Sequence, residues 1–389
     1  MHHKKYWLIV FFGLACVFSL IWAASEQQKS NTIQKRFNTM PVKENNLQPK
    51  SFETKATIAG IGDILIHDNL FHDARSGNGY DFSPMFSNIK PLLQKPDFLI
   101  ANQESIPGGK GLGISGYPRF NSPYEIVDAL QDAGVDFVTT ANNHSLDQGE
   151  KGILNAISNY EKKGMDYTGT YKNSEDKARM RVVIIKGIRF AILAYSEHFN
   201  GLRAPAGKEY LVSKLEKNKV LSDIQKAKKD ADVVVLALHW GDEYIREPNE
   251  KQKRLANEFI YHGADIILGH HPHVLQPIEI LNQKDGKKGI VIYSLGNFLS
   301  RQEKNYRDIG GMIEITVKKA GIPGNTESTI EKVNFHPTFT ANEGKKNYRV
   351  YPIDQAAKKG WTHENTDSIN TFMNIPASNP SAWEVRHGN

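Results

Sequence analysis

The stretch Gly263-Ala264-Asp265-Ile266-Ile267-Leu268-Gly269-His270-His271-Pro272-His273 sets a short apolar run directly against three imidazoles. Asp265–Leu268 is nearly continuous in apolar character, as strands covered on both faces are. Three histidines within four residues are seldom a packing device, so the segment reads as a buried strand that ends in metal-ligand chemistry. In open α/β sheets ligands gather just past the C-terminal ends of strands, and the rest of the chain repeats the pattern. Asp63 follows Thr57–Gly62, Asn102 and Glu104 follow Phe98–Ala101, and His239 follows Val233–Leu238. Asn142, Asn143 and His144 follow Phe137–Ala141. These segments are expected to converge on one pocket holding Asp63, Glu104, Asn143, His239, His271 and His273. Carboxylate, amide oxygen and imidazole suit Mn, Fe or Zn, and two such ions about 3.5–4 Å apart clamp a phosphoryl group.

The spacing of helices and strands around these motifs predicts an α/β (α+β) domain with mixed sheets. Ser122-Pro123-Tyr124-Glu125 reads as a capping box that opens a helix ended by Gly134. A second helix is expected from Glu150 to Lys163. Val182–Ile185 and Phe190–Tyr195 should pair as a hairpin through Lys186-Gly187. Helices at about 213–229 and 250–262 precede the strands Ala231–Leu238 and Asp265–Leu268, and Ile290–Tyr293 and Met312–Val317 add further strands. Gly111-Leu112-Gly113-Ile114-Ser115-Gly116 satisfies a dinucleotide fingerprint, but Tyr117-Pro118 follows where a helix should start, so the phosphate-cradle context is lacking. No Gly-x-Ser-x-Gly elbow or G-K-[ST] element occurs.

Composition narrows the function classes. The 389 residues are 39% hydrophobic, which excludes a polytopic membrane protein, and 10% aromatic, which excludes a disordered chain. A single cysteine, Cys16, excludes a disulfide framework, and fourteen histidines direct metal chemistry to nitrogen and oxygen donors. The net charge of +6 suits an anionic partner without arguing for nucleic acid. Lys4 and Lys5 precede an uncharged run, Tyr6–Ala24. As a helix it would span about 28 Å, close to the ~30 Å bilayer core. Residues 1–25 are therefore read as an N-terminal membrane anchor with the chain beyond it outside, or as a cleaved signal with Ala23-Ala24-Ser25 at the cut, which would give a secreted form. Residues 26–55 read as a polar stalk, 56–354 as the domain and 355–389 as a C-terminal tail.

Gly62-Asp63, Ala141-Asn142-Asn143-His144, His239-Trp240-Gly241 and Gly269-His270-His271-Pro272-His273 occur in the order of the calcineurin-like metallophosphoesterase superfamily. The longer strings His239-Trp240-Gly241-Asp242-Glu243-Tyr244, Gly263–His273 and Tyr293-Ser294-Leu295-Gly296-Asn297-Phe298 resemble the poly-γ-glutamate capsule-synthesis family CapA/PgsA. The resemblance covers about residues 56–318. It implies a four-layer αββα metallophosphatase-like sandwich with a divalent metal centre at the sheet edge. It also implies His144 as general acid, with Asp147 as its carboxylate partner or as a helix cap, and Asn102, His270 and Asn297 as further pocket residues. Poly-γ-glutamate and other membrane subunits of the polymer synthase are the partners it implies. Two departures stand out. Leu65 occupies the third position of the superfamily's Asp-x-His, with a histidine only at His67, and Asn102-Gln103-Glu104 replaces Gly-Asp-x-x-Asp, making Glu104 the bridging carboxylate. Either one tight metal position with a weaker second one is expected, or a partly vestigial site. A non-catalytic polymer-binding or assembly component is the alternative reading.

Overall fold

The computed structural model of the protein describes residues 19–31 and 50–375. The expected anchor or signal lies outside the described residues through position 18, and the stalk does so from 32 to 49. Residues 19–31 form helix α1 and are exposed. Among the described residues no helix is long and apolar enough to cross a membrane.

A second compact unit starts at Ser51. Its first half runs β1 (Phe52–Ile64), α2 (Asp68–Asp73), β2 (Arg75–Ser76), β3 (Gly79–Tyr80), α3 (Ser83–Phe86), α4 (Lys90–Leu93), β4 (Phe98–Gln103), α5 (Glu125–Ala133), β5 (Phe137–Thr139), α6 (Gly149–Lys163) and β6 (Asp166–Thr168). The middle is α7 (Ser174–Ala178), β7 (Val182–Ile185), β8 (Ile188–Ser196), α8 (Lys217–Asp230), β9 (Val233–His239), α9 (Glu250–Tyr261), β10 (Ile266–His270), β11 (Leu275–Asn282) and β12 (Lys288–Leu295). It closes with β13 (Asn297–Leu299), β14 (Ile309–Ile322), β15 (Asn325–Ala341), β16 (Arg349–Pro352), α10 (Ile353–Lys358) and α11 (Thr366–Met373).

Apart from the short β2–β3 pair, the described strands build two mixed sheets, ordered β16-β15-β14-β1-β4-β5-β6 and β11-β12-β10-β9-β8-β7. In the first, β1, β4, β5 and β6 are parallel and the β14 side is antiparallel, whereas the second has a parallel centre and antiparallel flanks. The period-two alternation of a strand shows how they stack. From β1, Ala59 and Ile61 enter a core shared with α5 and α6, whereas Ala56 and Ile58 face a second core. From β9, Val233 and Val235 enter that same second core, whereas Val234, Leu236 and Leu238 turn toward α8 and α9. Three apolar cores between successive layers make a four-layer sandwich: helices, sheet, sheet, helices.

One sequence expectation is corrected. The helix after Ser122 begins at Glu125, capped by Tyr124 without a side-chain bond. Ser122 is engaged elsewhere, its hydroxyl donating to Ser105 Oγ at 2.8 Å. Ile353 of α10, before position 355, and Ala356, Ile369 and Met373 beyond it are buried in the inter-sheet core. β1 starts at Phe52, within the residues read as stalk.

The sheets are joined where β12 leaves its own sheet at Gly296 and continues as β13, which pairs with β1. Asp63 and Asn297 thereby become neighbours. The junction leaves no room for side chains. A Cβ on Gly62 would stand 2.1 Å from the Gly296 carbonyl, and within the second sheet, beside the junction, one on Gly269 of β10 would stand 1.9 Å from the Tyr293 carbonyl of β12. Both obstacles are backbone, which cannot swing aside. Gly269→Ala is therefore expected to destabilise the domain by about 3 kcal/mol, read as a shift in the denaturant midpoint at unchanged slope. A loss below about 0.5 kcal/mol would mean that β10 and β12 can part.

Candidate metal centre

Strand register places the polar groups side by side. Asp63 lies opposite Asn102, Asn102 opposite Thr139, and His239 opposite His270. The two rows end at the same edge of the sandwich, and the loop after β10 folds His271 and His273 back over it with φ of 98° and 59°. Left-handed backbone at non-glycine residues costs of order 1–3 kcal/mol each and concentrates at functional sites. The rings of His239 and His271 are 4.8 Å apart, and those of His271 and His273 are 6.0 Å apart.

Asp63 is fully buried and saturated with donors. Its Oδ1 accepts from Asn102 Nδ2 at 2.8 Å and from His270 Nδ1 at 3.1 Å. Its Oδ2 accepts from the His271 N–H at 3.3 Å and lies 3.2 Å from His273 Nδ1. Burial works to raise this carboxyl, but the hydrogen bonds from His270 and His273 hold it well below the ordinary carboxylate range. Glu104 is the opposite case. It is equally buried, yet neither oxygen has a hydrogen-bond partner among the described residues, and burial pushes it well above its usual value. His239 Nε2 and His273 Nε2 each stand 3.6 Å from Glu104 Oε1, too far for a hydrogen bond.

The imidazoles divide in the same way. His239 donates from Nε2 to Asn143 Oδ1 at 3.0 Å, and its Nδ1 faces Asn102 Nδ2 at 3.4 Å. Burial and the neighbouring His271 hold it well below its ordinary value, so it is neutral. His271 is held at about 3 by burial and by His273, and its Nδ1 is without a partner. Burial alone would lower His273 as well, but Glu104 and Asp63 lift it to about 9. Its Nδ1 is fixed by Asn297 Oδ1 at 3.0 Å, which leaves Nε2 turned toward Glu104.

Buried polar atoms normally find partners. Among the described residues Glu104, His270 Nε2 and His271 Nδ1 do not, and all are donor types for a divalent cation. Two triads bring their donor atoms within 4.8 Å of one another: Asp63, Glu104 and His273, and Glu243, His271 and His273. The residues thus fit a metal ion. Glu243 was not among the expected ligands. It is exposed and lies in a loop rather than at a strand end, so only its place four residues after His239 pointed to it.

Beside this cluster His144 donates from Nδ1 to Asp147 Oδ2 at 2.7 Å. The same oxygen accepts the Phe120 N–H at 2.7 Å, and the Phe120 ring stands edge-on to His144 at 4.6 Å. Asp147 precedes α6 but caps nothing there, the N-cap position being Gln148. His67 also packs edge-on against Phe120, at 5.2 Å, and its Nδ1 lies 3.1 Å from the Leu65 carbonyl. Leu65 is 1% exposed yet belongs to none of the apolar cores.

The family model for bacterial capsule synthesis protein PGA_cap matches residues 57–302. The capsule biosynthesis protein CapA of Bacillus anthracis is 29% identical over 341 residues, 82% of this chain and 78% of that one. The PGA biosynthesis protein CapA of Bacillus subtilis (strain 168) is 29% identical over 271 residues, 67% of each chain. Among solved structures, the calcineurin-like phosphoesterase YfkN from Bacillus subtilis aligns with a TM-score of 0.42 at 14% identity, covering 83% of this chain and 96% of that one.

A proton on His273 must leave before Nε2 can ligate. Because the metal-free group titrates near 9, that proton is displaced at any lower pH. Apparent metal affinity is expected to climb about tenfold per pH unit per proton from neutrality and to flatten above about 9. Calorimetry in buffers of different ionisation heat counts the released proton, and a pH-independent affinity would exclude His273 as a ligand.

Proposed function

The chain belongs to the bacterial capsule synthesis protein family, and from that footing we propose that it serves poly-γ-glutamate production as a membrane-anchored, extracytoplasmic, metal-dependent hydrolase of the phosphoesterase type. The observation that carries the catalytic part is the convergence of Asp63, Glu104, His271 and His273 in one buried cluster whose second carboxylate has no protein partner. A bound divalent cation (Mn, Fe or Zn) would supply Lewis acidity toward a phosphoryl or acyl oxygen. The chain's own residues do the rest. Asp63, pinned by four donors, fixes the positions of His270 and His273 relative to each other. His239 is held neutral as a ligand-type imidazole, with Asn143 on its Nε2. His144 is oriented by Asp147 through Nδ1, so Nε2 is the nitrogen left to deliver a proton to a leaving oxygen.

Leu65 supports a second reading. Where the resemblance expects an imidazole ligand for a second metal position, two residues past Asp63, the chain has Leu65, a buried hydrocarbon that cannot ligate. A protein lacking that ligand holds polymer rather than cleaving it, with the synthase's membrane subunits as its partners.

Metal titration of the metal-free protein separates the two. One tight and one weak event, about 100-fold or more apart, are expected, and Leu65→His should tighten the weak one. Phosphoesterase turnover that rises with it supports the hydrolase, whereas tightened metal without turnover supports the holding role. Absence of metal binding in both forms rules out a metal-dependent function. Orientation is tested separately: protease added to intact cells should release a fragment beginning within residues 25–55, and full protection would refute the extracytoplasmic assignment.

A further inference from the structure

One flank of the second sheet is unfinished. β7 pairs with β8 only from Ile188 to Ala191, and beyond that the Arg181 carbonyl takes the Ile192 N–H at 2.9 Å. Pairing resumes at Ser196, whose N–H donates to Ser213 and whose carbonyl accepts from Leu215. Between these points lies Ala194. Its N–H and C=O point away from β9 by the alternation of the ladder, as those of Ile192 and Ser196 do, and no backbone group of the described residues meets them. Unpaired sheet edges recruit extended amide chains.

This gap opens into a cavity of about 1020 Å³. Seven lysines and arginines line it against four carboxylates. Most of the cations are engaged: Arg181 is fixed on Asp176, and Lys219 and Lys226 on Asp223. Arg203 is exposed and makes no hydrogen bond or ion pair among the described residues, and Lys214 meets only Glu216 at 3.7 Å. At its other end the cavity reaches His198, whose ring stands 5.0 Å from that of His271. The loop carrying His198 touches the metal centre again through Asn200, which accepts from Asn143 at 3.4 Å.

We propose that this flank of β8 binds an extended, amide-linked polycarboxylate. One amide would bridge the open N–H and C=O of Ala194, with carboxylates on Arg203 and Lys214 and the chain directed past His198 to the metal centre. The identity of the ligand rests on the poly-γ-glutamate reading above, while its place rests on the cavity alone. A protein strand fits less well, because strand addition needs a row of open groups and the gap offers only the Ala194 pair between two occupied positions.

The test uses the full chain and a short γ-linked oligoglutamate, with a polyacrylate of matched charge as the amide-free control. Oligoglutamate should bind more tightly than polyacrylate, should slow hydrogen exchange in the 192–196 segment, and should be weakened roughly fivefold or more by Arg203→Glu. Arg203 has no partner to lose, so this variant should fold normally. Binding should survive removal of metal by a chelator, which keeps the outcome independent of the hydrolase assignment. Equal binding of the two polymers, unchanged exchange at 192–196, or indifference to Arg203→Glu overturns the proposal. Binding that vanishes with the metal also overturns it, since the oligomer would then sit on the metal centre itself. A self-association that Arg203→Glu abolishes would assign the flank to a second protein chain instead.

Discussion

The whole arrangement hangs on backbone meeting backbone at the line where the two sheets join. Gly62 lies against the Gly296 carbonyl, and beside the seam, within the second sheet, Gly269 lies against that of Tyr293. With no side chain on Gly62, β1 and the β12–β13 crossover come close enough for the Asp63 N–H to bond the Gly296 carbonyl at 2.9 Å. That contact carries Asp63 from the first sheet into reach of His270 and His273 from the second. A methyl group at this seam would separate the sheets by more than the hydrogen bonds of the cluster tolerate, since these weaken steeply beyond about 3.5 Å.

Within the seam two buried carboxylates are treated unequally. Asp63 is compensated by an amide, two imidazoles and a backbone N–H, so its charge is retained in the interior. Glu104 receives none of these, and burial pushes its carboxyl well above the ordinary range. Burying a carboxyl without hydrogen bonds opposes folding, and two left-handed histidines add strain next to it. These costs meet at the metal centre, where unpartnered and strained groups stand side by side.

Much of this was legible in the sequence because buried parallel strands announce themselves. Val233–Leu238 and Ile266–Leu268 are apolar without interruption, so the first polar residue after each marks the strand end and hence the ligand edge. The order of Asp63, Asn102, Asn143, His239 and His270 along the chain was enough to gather them at one edge, and the hairpin at Lys186-Gly187 is present as read. Glu243 escaped because a loop side chain has no periodicity to betray it. β15 escaped because Asn325-Thr326-Glu327-Ser328-Thr329 is polar on both faces where the hairpin with β14 runs past the core. α10 and α11 bury few large side chains, a signal too weak to separate a docked helix from a polar end. Ser122 misled because its hydroxyl was claimed by Ser105, a tertiary contact that overrode local capping chemistry.

The pairing of β1 with β14 also separates two things that a family match tends to merge, the span that is recognised and the span that folds. The match ends at 302, while β1 is bonded to β14 from Phe52–Gly321 through Ile61–Met312. The core between the sheets draws Ile313, Ile315, Val333, Phe335 and Ile369 from beyond that limit. A recombinant piece trimmed to the matched residues would carry every metal ligand yet expose the long flank of its central strand and an open apolar face. Strand flanks of that kind seek other chains, so such a piece would aggregate with its chemistry intact on paper, and the smallest working unit of this protein extends to α11.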